Sequence, residues 1–331
     1  MNVKRTKRRE QILPVVALCL LVTLFVTAQE RNEWKSVRRG LNNQDLNSVI
    51  FTDARRGWIG GDAGTVLRTQ DGGATWTRQT VAGVEAGIND IYFRGRDDGL
   101  FLAANGIYTT PDGGATWREA RRFAPAEFDG AFPELYSVRF ANKRRGWVVG
   151  SVSRRDTVVD SLLLRTEDGG ASWVRDRAPA REELINLDFV NAERGWVVGA
   201  AGTILRTADG GRTWKQLRLG TNAGLYSVNF RNERVGWAVG ERGTILRTTD
   251  GGDSWFPVQV SLRSTLLSVR FVNDDDGFIV GRGGVILRTT DGGRTWARQP
   301  SGTTQNLYSL FVDKRNAWAV GGDGLVLQYE R

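Results

Sequence analysis

The stretch TILRTADGGRTW, residues 203–214, sets one carboxylate between an arginine and two glycines. Phosphate loops and some metal loops begin this way, because glycine lets backbone amides approach a ligand and the acid can hold a cation. The grouping recurs: Asp-Gly-Gly-x-Thr/Ser-Trp begins at Asp71, Asp112, Asp168, Asp209, Asp250 and Asp291, in steps of 41, 56, 41, 41 and 41. Six copies spread around one fold cannot converge on one substrate. The architectural reading is therefore favoured: the carboxylate accepts backbone N–H bonds within a turn, the glycines take positive φ, and the tryptophan packs back between strands.

Other chemistry is narrowed by what the chain lacks. There is no histidine, and the only cysteine and methionine, Cys19 and Met1, lie in the first 28 residues. Beyond those 28 residues, thiolate nucleophiles, disulfides, histidine bases and His/Cys metal sets are excluded. Carboxylates remain. Glu119, Glu127, Asp129, Asp156 and Asp160 are the candidates for a glycosidase pair, which needs two carboxylates within roughly 5–10 Å across a groove. Asn273–Gly277, NDDDG, lacks the alternating ligands and distal glutamate of a calcium loop and reads as a solvated turn. No metal and no cofactor is expected.

The elements that must position these residues follow from the same repeat. Residues 1–28 carry Lys4, Arg5, Lys7, Arg8 and Arg9, then an apolar run from Ile12 to Val26 and the small-residue site Val26-Thr27-Ala28. They read as an export signal cleaved before Gln29, the alternative being a retained anchor. Without that leader the net charge falls from +9 to +5. From Gln29 to Arg331 each repeat holds four short segments, for example LYSVNF, GWAVG, TILRT and the residues after the Trp box. Rich in Val, Ile, Leu and aromatics and separated by turn residues, they read as four antiparallel strands, A to D. Four-stranded units of about forty residues are the signature of propeller blades. Strand A opens seven times, at Leu46, Ile88, Leu135, Ile185, Leu225, Leu266 and Leu307. The last unit has no Trp box, but Trp34 lies 12 residues before Leu46, as Trp76 lies 12 before Ile88. The expectation is one all-β, seven-bladed propeller whose N-terminal strand completes the last blade.

Two surfaces stand out on that ring. Arg68, Arg165, Arg206, Arg247 and Arg288 hold one equivalent position late in strand C. They share a face with the A–B turn arginines and the Asp turns. They form either structural ion pairs there or a basic face for an acidic partner. On the opposite face the repeat is interrupted at Trp117–Leu135 and Gly150–Leu164, both flanking blade three. Phe123, Phe128 and Phe132 with Arg121, Arg122, Arg154 and Arg155 can form an interaction patch, tolerated loop growth being the alternative. Nucleic acid is not an expected partner, because few aromatics interleave with the basic turns and the leader sends the chain out of the cytoplasm.

The repeated T-x-D-G-G-x-T-W resembles the Asp-box of sialidases, xyloglucanases and sortilin-like propellers. Over the full length after residue 28, with GWVVGAAGTILRTADGGRTW as the clearest copy, the chain is similar to the photosystem II stability/assembly factor family. That resemblance implies a non-catalytic, exported scaffold, monomeric and near a membrane. Its partner would be a membrane-associated protein: in photosynthetic relatives the reaction-centre subunit, held by an arginine-rich surface. The competing reading is an Asp-box glycoside hydrolase or glycan-binding propeller. Blade two departs from the pattern: GLFLAANGIYTTPDGG lacks the strand-B tryptophan, and Tyr108 is taken as standing where other blades have arginine.

Overall fold

Strand B of every blade is a short apolar run buried along its whole length, as in Gly57–Gly61, Gly195–Gly199 and Gly236–Gly240. Burial on both faces requires a neighbour on each side, and closing the blades into a ring supplies it. The computed structural model describes residues 33–40, 43–217 and 219–330; the expected leader lies outside them. These residues form seven four-stranded antiparallel sheets. Strand A of each blade packs on strand A of the next, and Leu307–Val312 of blade seven packs on Leu46–Phe51 of blade one. The N-terminal strand Trp34–Arg38 pairs with Val326–Glu330, with Trp34 opposite Tyr329, and completes blade seven as expected. Among the described residues no helix is long and apolar enough to cross a membrane.

Polarity changes outward along each blade. Strand A alternates, with the second and fifth residues only half-buried beside the central channel, and strand D is largely exposed. In every blade the register of strand A slips once, after Leu135 in blade three and after the first residue elsewhere, a bulge that sharpens the local twist next to the channel. Blade four opens at Leu184, which pairs with Gly199 as Leu46 pairs with Gly61, so the expected start at Ile185 is one residue late.

Aromatic joints hold the blades together. Trp147, Trp196 and Trp237 of strand B lie flat on Phe189, Phe230 and Phe271, the last residues of strand A in the following blade. The ring centroids are 3.6, 3.4 and 3.5 Å apart. Each phenylalanine also meets the box tryptophan of its own blade edge-on, Phe230 with Trp255 at 5.7 Å and 89°. Such pairs contribute about 0.5–1.5 kcal/mol beyond their burial. The geometry leaves no room for a side chain on the second box glycine. At Gly211, φ is +79° and a Cβ would lie 2.5 Å from the Trp147 indole nitrogen. Blade two has Leu100 in the tryptophan position, and in the next joint Arg94 lies over Phe140, 4.9 Å from its centroid.

Candidate functional site

Each Asp box is a closed hydrogen-bonded turn. In blade one the Thr69 hydroxyl donates to Asp71 Oδ1 at 2.7 Å and accepts the Gly73 amide at 2.9 Å. Asp71 Oδ1 also accepts the Thr75 amide at 2.9 Å. The same bonds recur at Asp112, Asp168, Asp209, Asp250 and Asp291. The first box glycine donates its amide to the A–B turn of its own blade, Gly72 to Arg55 and Gly210 to Glu193, both at 2.8 Å. Hydrogen bonds from Thr75 and Thr69 hold the Asp71 carboxyl down to about 2, and Thr116 and Thr110 do the same for Asp112. These carboxylates are committed to their own turns.

The strand-C arginines are not paired with the box acids. Arg206 pairs with Asp253 in the next blade's box turn, and Arg247 Nε donates to the Gly292 carbonyl of the blade after its own, at 3.0 Å. Arg165 pairs with Asp176 at 2.8 Å and with Glu167 at 2.8 Å. Arg288 donates to the Tyr329 hydroxyl at 2.8 Å and pairs with Asp276 at 3.2 Å. Arg68 and Arg247 are the two of the five with no acid within ion-pair distance among the described residues, and the Arg68 Nε is buried without a partner. Turn residues extend the stitching: Arg56 pairs with Asp97, Arg194 with Glu233 and Arg231 with Asp274, each in the following blade. The ring of equivalent positions is broken in blades two and seven. Thr109, opposite Leu100, is the residue equivalent to Arg68 opposite Trp58, and Gln328 stands opposite Trp318. Tyr108 is one place off: it corresponds to Leu67 and packs on Phe101. Asn273 accepts the amides of Asp275 and Asp276, so NDDDG is a turn stapled by its own side chain.

The two interruptions of the repeat meet in one crest on blade three. Strands A, B and C lengthen to Phe132–Phe140, Gly146–Arg154 and Thr157–Thr166, raising a hairpin above the ring. Its base is a small apolar core that includes Phe123, Phe128, Ala131, Val152 and Leu162. Phe123 and Phe128 are therefore structural, and the expectation that Phe128 offers contact surface is corrected: it is buried under Arg175, whose guanidinium lies 5.0 Å from its ring centre. Phe132 is the exposed one, at 64%. It lines a cleft of about 510 Å³ with Ala104, Asn105, Glu134, Ser153 and Arg155. Arg121 pairs with Glu127 and stacks over Phe123, and Arg122 pairs with Glu119 at 2.5 Å. Arg154 donates to the Asp129 carbonyl at 2.8 Å. Arg155, at the hairpin tip with φ +51°, is exposed and makes no hydrogen bond to other described residues.

The glycosidase candidates are tied into the same crest. Hydrogen bonding from Arg122 holds Glu119 below the ordinary carboxylate range, whereas a general acid needs the opposite shift. Asp160 pairs with Arg175 at 2.6 Å. Sequence reading passed over four charged residues on the inner strands: Asp90, Arg139, Asp188 and Arg270. Their signal was available, since Arg139, Asp188 and Arg270 occupy the fifth place of LYSVRF, LINLDF and LLSVRF, which faces the channel.

Comparison with known proteins fits this geometry. Solved structures similar in fold include YCF48 bound to D1 peptide, with TM-score 0.74 and 20% identity over 91% of this chain and 96% of that one. YCF48 from Cyanidioschyzon merolae gives 0.71 and 20% over 90% and 98%. Catalytically inactive virginiamycin B lyase from Staphylococcus aureus gives 0.72 at 15% identity over 89% and 99%, so fold similarity alone does not separate binder from enzyme. No curated protein matches the sequence. The sequence family described as Photosynthesis system II assembly factor YCF48 matches residues 26–89, 177–263, 212–303 and 265–330, leaving out blades two and three where the repeat is interrupted. The repeat, the closed ring and this match together place the chain in the photosystem II assembly factor YCF48 family.

Proposed function

We propose that this chain is an exported, monomeric, non-catalytic scaffold for photosystem II assembly that docks a protein partner on the crest of blade three. The observation that carries the reading is Phe132, exposed while Phe123 and Phe128 of the same crest are buried, beside the cleft that ends at Arg155. An apolar anchor next to an unpaired guanidinium is the pattern of a binding hot spot. The D1 peptide bound to a YCF48 relative supports a peptide of the D1 reaction-centre protein as the partner here. The arginines of the opposite face are a weaker candidate, because most of them bond neighbouring blades. The leader, residues 1–28, is read as the export signal.

The test is fluorescence anisotropy with labelled peptides tiled along D1. Phe132→Ala combined with Arg155→Ala is expected to weaken the bound peptide about tenfold or more. Arg68→Ala, Arg234→Ala and Arg315→Ala on the opposite face are expected to leave it unchanged. Loss only in the second set would move docking to the arginine face. Binding to no D1 peptide would remove D1 as the partner.

A further inference from the structure

The central channel holds a guanidinium that makes no ion pair among the described residues. Arg139 and Arg270 lie on the same layer of the inner strands and line a cavity of about 240 Å³ with Ser137, Ser227 and Ser268. Arg139 has a carboxylate: its Nη1 is 2.9 Å from Asp90 Oδ2. Arg270 has none within ion-pair distance among the described residues. Its Nη1 donates to the Val269 carbonyl at 2.8 Å and reaches Ser227 Oγ only at 3.5 Å, while Nε and Nη2 make no hydrogen bond to described residues.

The two nearby acids act on Arg270 through their charge but do not touch it. Asp90 accepts from the hydroxyls of Ser48 and Ser137, the amides of Ile91 and Val138, and Arg139, all between 2.9 and 3.0 Å. Asp188 accepts the amides of Phe189 and Phe230 at 3.0 and 2.7 Å, and the Asn229 side chain at 3.2 Å. Neither carboxylate hydrogen-bonds Arg270, whose partners are the Val269 carbonyl and Ser227. Burial, followed by the charge of Arg139, pulls the Arg270 guanidinium down to about 10. Two guanidinium nitrogens without hydrogen-bond partners among the described residues, beside a hydroxyl-lined cavity, match the planar oxygens of an oxyanion.

We propose that the channel binds one small oxyanion, a carboxylate or inorganic phosphate, against Arg270, with Arg139 and the hydroxyls of Ser227 and Ser268 around it. The site lies on the ring axis and is separate from the crest of blade three.

The experiment is thermal unfolding of the full chain in potassium chloride, potassium phosphate and potassium acetate at matched ionic strength. A saturable rise in Tm of a few degrees is expected in phosphate, in acetate or in both, and the pattern identifies the anion class. Arg270→Met is expected to abolish that rise. Arg270→Gln, which keeps a donor for the Val269 carbonyl, is the second variant should methionine fail to fold. No saturable rise in the parent over chloride overturns the proposal, and so does an equal rise in a folded Arg270 variant. Phe132→Ala is expected to leave the anion response intact, so failure of the docking reading and failure of this one are told apart.

Discussion

Between blades four and five, the Trp196 indole lies flat on Phe230 at 3.4 Å, and Trp255 closes the phenylalanine's edge. Between blades two and three, Leu100 replaces the tryptophan and a guanidinium, Arg94, covers Phe140 instead. The regular joint is all apolar stacking, and it passes the same contact from blade to blade. The irregular joint substitutes a charge, anchored on Asp98 and the Gly169 carbonyl, for part of that stack. The core between blades two and three then extends up under the crest. On the crest, the exposed Phe132 can change while Phe123 and Phe128 stay packed on that shared core.

The comparison breaks most readily at the stack itself. Trp196→Ala is expected to cost about 3–5 kcal/mol and Leu100→Ala less, measured by urea unfolding. Equal losses would mean that the two joints are energetically alike. The crest core is tested by Phe128→Ala, expected to cost about 3 kcal/mol, a value typical of a buried phenylalanine.

A finer contrast lies in the box glycines. Gly211→Ala meets Trp147 at 2.5 Å, but Gly170→Ala meets nothing closer than 3.4 Å, because the preceding blade has no strand-B tryptophan. Both pay the positive-φ penalty of about 1 kcal/mol. Gly211→Ala should therefore be the more destabilising by a further ~1 kcal/mol or more. Acid is a gentler probe. Asp71 and Asp112 are held near 2, below the ordinary value, so their contribution is complete above about pH 4 and is lost as pH falls through about 2. Acid titration followed by tryptophan fluorescence should show that loss. Smallest of all, Phe132→Ala should change stability by less than about 0.5 kcal/mol, since the ring is 64% exposed.

The blades were legible because a period of 41 residues repeats both the turn chemistry and the two-residue strand alternation. The shared seventh blade was legible from the spacing of Trp34 alone. The crest was visible only as extra length. Nothing local distinguishes Phe128, which turns inward after the short helical turn Pro125–Phe128, from Phe132, which stays outside. Arginine partners were equally hidden, because most are in the next blade, some forty residues away, and depend on how the ring closes. Tyr108 was misplaced by one residue in a strand without its marker arginine, where only cross-strand pairing with Phe101 fixes the register.

The pairing of Trp34 with Tyr329 joins residues almost the whole chain apart. Every other blade is assembled from one continuous stretch of sequence and can pair its strands as soon as that stretch is available. The seventh cannot. Bringing its halves together adds the entropy of closing the longest loop in the molecule, a term that grows only slowly with length. Folding is thus expected to end at this clasp: six blades form early, and the ring locks last. Removing the chain up to Arg38 should leave blade seven with three strands and the flank of Val326–Glu330 exposed as a free sheet edge.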